Sequence, residues 1–185
     1  KTVRYQGRNM NYQVTGKGAA LVLLHGFLED LHIWDSFVAE LSKSFQLVTI
    51  DLPGFGKSEL LDPIHTMELM ADVVKQVIDV EQVETCVVIG HSMGGYVGAA
   101  FAEKYPEYLS GLVFFHSHAA ADSEEAKINR QKTIELVKKD ALKFIVSFIP
   151  LLFAEENIMI YQKQISLLQQ TSVRLTPEAV IAALA

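Results

Sequence analysis

The sequence predicts an α/β fold: a mostly parallel sheet with helices on both faces, followed by a helical segment. Three observations predict it. Strand-like and helix-like stretches alternate over residues 1–121. Several of those strands are unbroken apolar runs, which marks burial on both faces, as a parallel sheet requires. After Asp122 the strand signals stop and helical periodicity takes over. The chain therefore divides into a sheet-bearing part, 1–121, and a helical part, 122–185.

The elements follow in order. "TVRYQ" and "NYQVTG" alternate polar and apolar residues and read as a hairpin turning through Gly7–Asn9. "ALVLLHG" is a buried strand that ends in glycine. Ile33, Trp34, Phe37, Val38 and Leu41 then recur at helical spacing. "QLVTIDLPG" is the second buried strand. Leu69, Met70, Val73, Val74, Val77 and Ile78 form one face of the next helix. "TCVVIG" is the third buried strand, followed by a helix of small residues from about Met93 to Lys104, and "GLVFFH" is the fourth. The stretch "DSEEAKINRQKTIELVKKDALKFIVSFI" opens with a capping residue and an acidic first turn and runs on as a helix. Thr176-Pro177-Glu178 starts another, with the cap at Thr176 and proline in the first turn.

Bulk properties narrow the function classes. With 185 residues, 50% hydrophobic and 21% charged, the chain has material for one globular domain. A net charge of −6 and the lack of any Lys/Arg block argue against a nucleic-acid partner. The one cysteine, Cys86, lies in an apolar run, so it reads as buried filler in a reducing, cytoplasmic setting. Residues 1–20 do not read as a secretory leader. The longest nearly apolar run, Phe144 to Phe153, is too short to span a bilayer and is broken by Pro150. The chain starts at Lys1 rather than Met and stops at Ala185 within a helical pattern, so both ends read as cut.

The chemistry centres on "VVIGHSMGGYVGAA", residues 87–100. Ser92 occupies the turn between a buried strand and a helix. A turn that tight puts the serine backbone in a strained region and leaves no room for side chains at positions 90 and 94, both glycine here. Gly95, Gly98 and Ala99 let the following helix close on the strands. The hydroxyl is thereby held clear of the sheet at a helix N-terminus, where free N–H groups and the helix dipole favour developing negative charge. This is the G-x-S-x-G arrangement in the strand–turn–helix context that its mechanism needs.

Two further motifs end strands at the same sheet edge: "LLHGF", with His25-Gly26-Phe27, and "DLPGFGKS", Asp51 to Ser58. Together with "GHSMGG" they make residues 1 to about 120 resemble the α/β-hydrolase superfamily, in its cap-bearing esterase and C–C hydrolase branch. The resemblance implies that Ser92 is the nucleophile and that the backbone N–H groups of Phe27 and Met93 form the oxyanion hole, where main-chain donors suffice. It implies that 122–185 is a helical cap, with Phe144, Phe148, Leu151, Leu152 and Phe153 covering the pocket. The serine speaks against the dehalogenase and epoxide hydrolase chemistry of relatives with an aspartate nucleophile. Rival motifs fail at one residue each: Asp51 stands where a P-loop needs glycine, and Glu59 where a dinucleotide fingerprint does.

A serine hydroxyl needs a histidine oriented by a carboxylate. In the superfamily these follow the nucleophile in the order acid, then histidine. The resemblance therefore places both beyond Ala185. Among the residues present, His91 adjoins Ser92 but points apart from it and reads as pocket lining, with Gly26 and Leu28. His25 reads as bonding to the oxyanion loop. His116 and His118 follow the fourth strand and read as pocket lining; Asp122 is an alternative acid and His118 an alternative base in reversed order. His32 and His65 read as surface residues at helix starts. The six histidines and the cysteine show no zinc-ligand spacing, and no metal or cofactor is expected.

The expected function is hydrolysis of a small carboxylic ester or related acyl compound through an acyl-enzyme at Ser92, with this stretch alone inactive. C–C bond hydrolysis shares the same residues, and a non-catalytic ligand binder or half of a two-chain assembly is the alternative from another class. A small ester-like molecule is the expected partner, with no nucleic acid and no membrane. An open sheet edge makes self-association, or association with a C-terminal remainder, the expected state.

Overall fold

A computed structural model describes residues 1–185. Six strands form one sheet: β1 (Thr2–Tyr5), β2 (Arg8–Thr15), β3 (Ala19–Leu24), β4 (Phe45–Ile50), β5 (Cys86–His91) and β6 (Leu109–Phe115). Their spatial order is β1-β2-β4-β3-β5-β6. The first two strands join antiparallel, and β4, β3, β5 and β6 run parallel. The hairpin turns at Gln6 and Gly7, both with positive φ (48° and 82°), slightly earlier than the sequence suggested. That primed geometry matches the twist of the flanking strands.

Alternation along β3 feeds two cores. Val22 and Leu24 join Val48, Ile50 and Val88 beneath α2 (Met67–Val80) and α3 (Met93–Lys104). On the opposite face Leu21, Leu23 and Leu47 are covered by Trp34, from a 3-10 turn at Leu31–Trp34, and by Val38 and Leu41 of the short helix α1 (Asp35–Leu41). Both faces are therefore covered by helices, and the apolar runs at the sheet centre are buried as expected. The fourth run is the exception. β1 is one edge of the sheet and β6 the other, and Val113 and Phe115 of β6 are 42% and 37% exposed.

Three further helices, α4 (Glu124–Phe148), α5 (Gln162–Ser172) and α6 (Pro177–Leu184), build a separate cluster around Ile134, Phe144, Ile145 and Val180, into which Leu28 inserts. The run read as one helix from Glu124 kinks at Asp140 (φ −162°, ψ 87°). The Asp140 carboxylate accepts the Lys143 N–H at 2.9 Å, so it caps the second half as a new helix start. Thr176 caps α6, accepting from Ala179 N at 3.2 Å, as the Thr-Pro-Glu signal implied. No helix is long and apolar enough to cross a membrane.

Candidate active site

Parallel register brings the chemistry-bearing loops together. Leu24 pairs with Ile50 and with Gly90, and His91 with Phe115, so β3, β4, β5 and β6 end side by side. The loops that start at His25, Asp51, Ser92 and His116 therefore share one edge. Three of the five non-glycine residues with positive φ lie on it: Leu28 (62°), Ser92 (49°) and His116 (48°). Conformations of this kind cost about 1–3 kcal/mol each and persist where the surroundings enforce them.

At Ser92 the enforcement is visible. Its backbone has φ 49° and ψ −116°, immediately before the first turn of α3. Ser92 N donates to Phe115 O at 3.1 Å, while its carbonyl accepts from Gly95 N at 2.9 Å and from the Ser117 hydroxyl at 2.8 Å. A Cβ at position 90 would overlap the Gly94 carbonyl, and one at 94 would lie 2.5 Å from Leu24 O. The glycines thus serve the close crossing of backbones that the sequence pattern predicts. Ser92 is half-buried, and its hydroxyl joins no hydrogen bond with the rest of the chain.

The loop after β3 lies against this turn. A Cβ on Gly26 would sit 3.1 Å from Ser92 Cβ, 3.0 Å from His91 Nδ1 and 2.8 Å from Glu29 Oε2. His25 is buried, and its Nε2 accepts from Leu52 N at 2.9 Å. Its Nδ1 therefore carries the hydrogen and donates to Gly26 O at 2.8 Å, as the sequence reading expected of this residue. The Phe27 ring packs edge-on against Phe55 below and Phe148 of α4 above, at centroid distances of 6.2 and 6.1 Å. Leu28 is buried, and its carbonyl accepts from the Ser172 hydroxyl of α5 at 2.6 Å. The Phe27 N–H donates to no group in the chain; the Met93 N–H, first in α3, precedes any intrahelical acceptor and finds none outside.

Glu29 is the residue that sequence reasoning missed. A carboxylate in a loop ordinarily lies in water, yet Glu29 is only 9% exposed. Its Oε2 accepts from Gly26 N at 2.6 Å and from His91 Nδ1 at 2.8 Å. His91 accordingly turns toward Glu29 and Phe115, not toward the serine hydroxyl. Only its partner, a carboxylate three residues past a glycine, was there to be noticed in the sequence.

The remaining candidates do not assemble around Ser92. His118 Nδ1 accepts from Ala120 N, and its Nε2 meets the Tyr96 hydroxyl at 3.2 Å. Asp122 is paired with Arg130, whose hydrogen bond holds the carboxyl below its usual range. Neither is joined to Ser92 or to the other by a hydrogen bond. His116 lies edge-on to His91, 6.2 Å between centroids, and is exposed. His65 is a correction. Read as a surface residue, it is 2% exposed, wedged where its own N–H donates to Ala182 O of α6 at 2.7 Å. The "DLPGFGKS" turn is structural: Asp51 accepts from Leu31 N, Asn11 Nδ2 and Lys57 N and packs directly under Gly56.

A mostly parallel sheet wrapped by helices, with an unbonded serine at a strand-to-helix turn on its carboxyl edge, defines an α/β protein with its loops gathered at one end. The chain belongs to the alpha/beta hydrolase fold family, whose model matches residues 19–148. It is similar in structure to a thermophilic esterase from Thermogutta terrifontis, solved with malate bound: 33% identity, TM-score 0.89, 99% of this chain and 68% of that one. It is also similar to the pimeloyl-[acyl-carrier protein] methyl ester esterase of Citrobacter koseri, 34% identical over 116 residues, which make up 62% of this chain and 43% of that protein. A third relative is the acetyltransferase component of the acetoin cleaving system of Cupriavidus necator, 29% identical over 177 residues, 95% of this chain and 46% of that protein. The chain thus spans less than half the length of these two curated relatives.

Proposed function

We propose that the protein carrying these residues is a serine hydrolase of small carboxylic esters, working through an acyl-enzyme at Ser92. The observation that carries this reading is the strained, unbonded serine at the head of α3, with Gly26 packed against its Cβ. In the proposed mechanism Ser92 Oγ attacks the ester carbonyl and its proton passes to a histidine oriented by a carboxylate. The new oxyanion takes hydrogen bonds from the Phe27 and Met93 amides, worth about 3–4 kcal/mol for a single donor of this type. Collapse expels the alcohol, which leaves with the proton from the histidine. Water then attacks the acyl-serine, giving its proton to the same base; the acyl–Oγ bond breaks, the base returns that proton to Ser92 Oγ, and the free acid departs. None of the histidines present is hydrogen-bonded to Ser92, and the reading takes the base and its acid from the family order, in which both follow the nucleophile.

Residues 122–185 act in this proposal as a cap. Phe148, stacked on Phe144 at 5.2 Å, meets Phe27 at the edge of the oxyanion loop, which favours an acyl or alcohol group of modest size and partly apolar character. The esterase relatives support the ester linkage as the bond cleaved. The test is labelling of the natural full-length polypeptide with a fluorophosphonate. One equivalent should attach at Ser92 and none in Ser92→Ala, with turnover of p-nitrophenyl butyrate lost in parallel. An intact parent protein that takes up no label would leave a ligand binder on a hydrolase scaffold instead.

A further inference from the structure

We propose that Glu29 is a positioning residue that locks the loop bearing the Phe27 amide to the strand end bearing Ser92. The inference rests on the serine-hydrolase reading for its catalytic meaning, but the lock itself is a matter of geometry. One carboxylate oxygen, Oε2, accepts from Gly26 N at 2.6 Å and from the His91 side chain at 2.8 Å. The first donor is the residue before Phe27; the second is the residue before Ser92. Beyond the end of the strand ladder, no other hydrogen bond runs between the 25–29 loop and the 91–93 turn. The other ties of the loop lead elsewhere: His25 to Leu52 N, and Leu28 O to the Ser172 hydroxyl.

Burial explains why a carboxylate suits this position. A desolvated carboxylate is unfavourable unless donors converge on it, so Glu29 holds both donors as firmly as they hold it. The glycine at 26 fits this crossing: a Cβ there would lie 2.8 Å from Glu29 Oε2 and 3.1 Å from Ser92 Cβ, so only glycine lets the loop pass this close to the serine turn, and the two hydrogen bonds of Glu29 hold it there. An oxyanion donor works only if it is already in place when charge develops, so a loop free to drift by even about 1 Å loses rate, not substrate binding.

The test uses the natural full-length polypeptide, with Glu29→Ala and Glu29→Gln. Two quantities are read: kcat and KM for p-nitrophenyl butyrate, and backbone hydrogen exchange of a peptide covering 25–28. For Glu29→Ala the expected result is a fall in kcat of about tenfold or more with KM held within about threefold. Exchange in 25–28 should speed by about tenfold. Glu29→Gln, which keeps an acceptor oxygen, should stay within about fivefold in kcat and show near-native exchange. Should Glu29→Ala fail to fold, Glu29→Asp takes its place: it keeps the charge, withdraws the oxygen by one methylene and should show the same loss. A folded Ala or Asp variant with native exchange in 25–28, or with kcat unchanged, overturns the proposal. Exchange judges the lock whether or not Ser92 reacts, whereas the hydrolase reading stands or falls on labelling of the unsubstituted protein.

Discussion

Ser92 stores strain that its own substitution can release. Its φ of 49° with ψ of −116° suits glycine and penalises any L side chain. Ser92→Gly should therefore stabilise the fold by about 1 kcal/mol, the strain relieved less the extra unfolded-state entropy of glycine, which is about 2–4 °C in Tm for a chain of this size. Ser92→Ala keeps the Cβ and should leave Tm unchanged. Both should abolish fluorophosphonate labelling. Equal Tm for the two variants would mean that the elbow is not strained. That strain was legible in the sequence, because a tight backbone crossing explains glycine at both 90 and 94. Glu29 was not legible, because a carboxylate in a loop reads as solvated until the His91 ring and Gly26 are seen to enclose it. His65 escaped for the same reason: Thr66 at a helix start marks the local capping correctly but says nothing of α6 arriving from more than a hundred residues away.

Among the elements, the β5–α3 unit and the α6 seam make opposite demands on their small and polar residues. At Gly90 the obstacle is backbone, the Gly94 carbonyl and Gly95 nitrogen, which cannot yield without moving α3. Gly90→Ala should cost about 2–3 kcal/mol by urea unfolding and lose labelling as well. At Gly98 the nearest atom is the tip of Leu112 at 2.8 Å, a side chain that can rotate. Gly98→Ala should stay within about 1 kcal/mol, since alanine's better helix propensity offsets the repacking. At the seam, His65 accepts weakly from Leu61 N and Asp62 N, 3.3 and 3.4 Å away, and burial lowers its pKa below the ordinary 6.5, against the pull of Asp62. A base whose folded pKa is depressed binds fewer protons folded than unfolded, so its contribution is full well above pH 6.5 and is lost as pH falls through and below that value. Urea midpoints should decline from about pH 7.5 to 5.5 more steeply in the native protein than in His65→Gln, which cannot titrate. Parallel slopes would show that His65 is not the group responsible. Sequence periodicity found α2, α3 and α6 but ran through the Asp140 kink. A capping aspartate inside a long helical pattern looks like any exposed acid until its carboxylate is seen to take the Lys143 N–H.

For the molecule as a whole, the sheet centre and the sheet edge differ in how completely the chain covers them. β3, β4 and β5 are enclosed, and their apolar runs announced as much. β6 carries an equally apolar run but leaves one side unpaired, with Val113 and Phe115 exposed. An open, apolar edge strand is a template for another strand unless charge or proline blunts it, and β6 carries neither. We therefore predict that the 185-residue chain produced alone elutes in gel filtration above its monomer mass of 20.6 kDa at micromolar concentrations. Val113→Lys and Phe115→Lys should each shift it toward the monomer, because a lysine on an edge strand disfavours pairing. The α4–α6 side offers a rival surface, since Leu151, Met159 and Ile160 are also exposed. The two faces separate cleanly: if Ile160→Glu dissolves the association and the β6 lysines do not, the contact belongs to the helices. A compact monomer of the unsubstituted chain would show that the edge is tolerated in water, and the self-association expected from the sequence would be wrong.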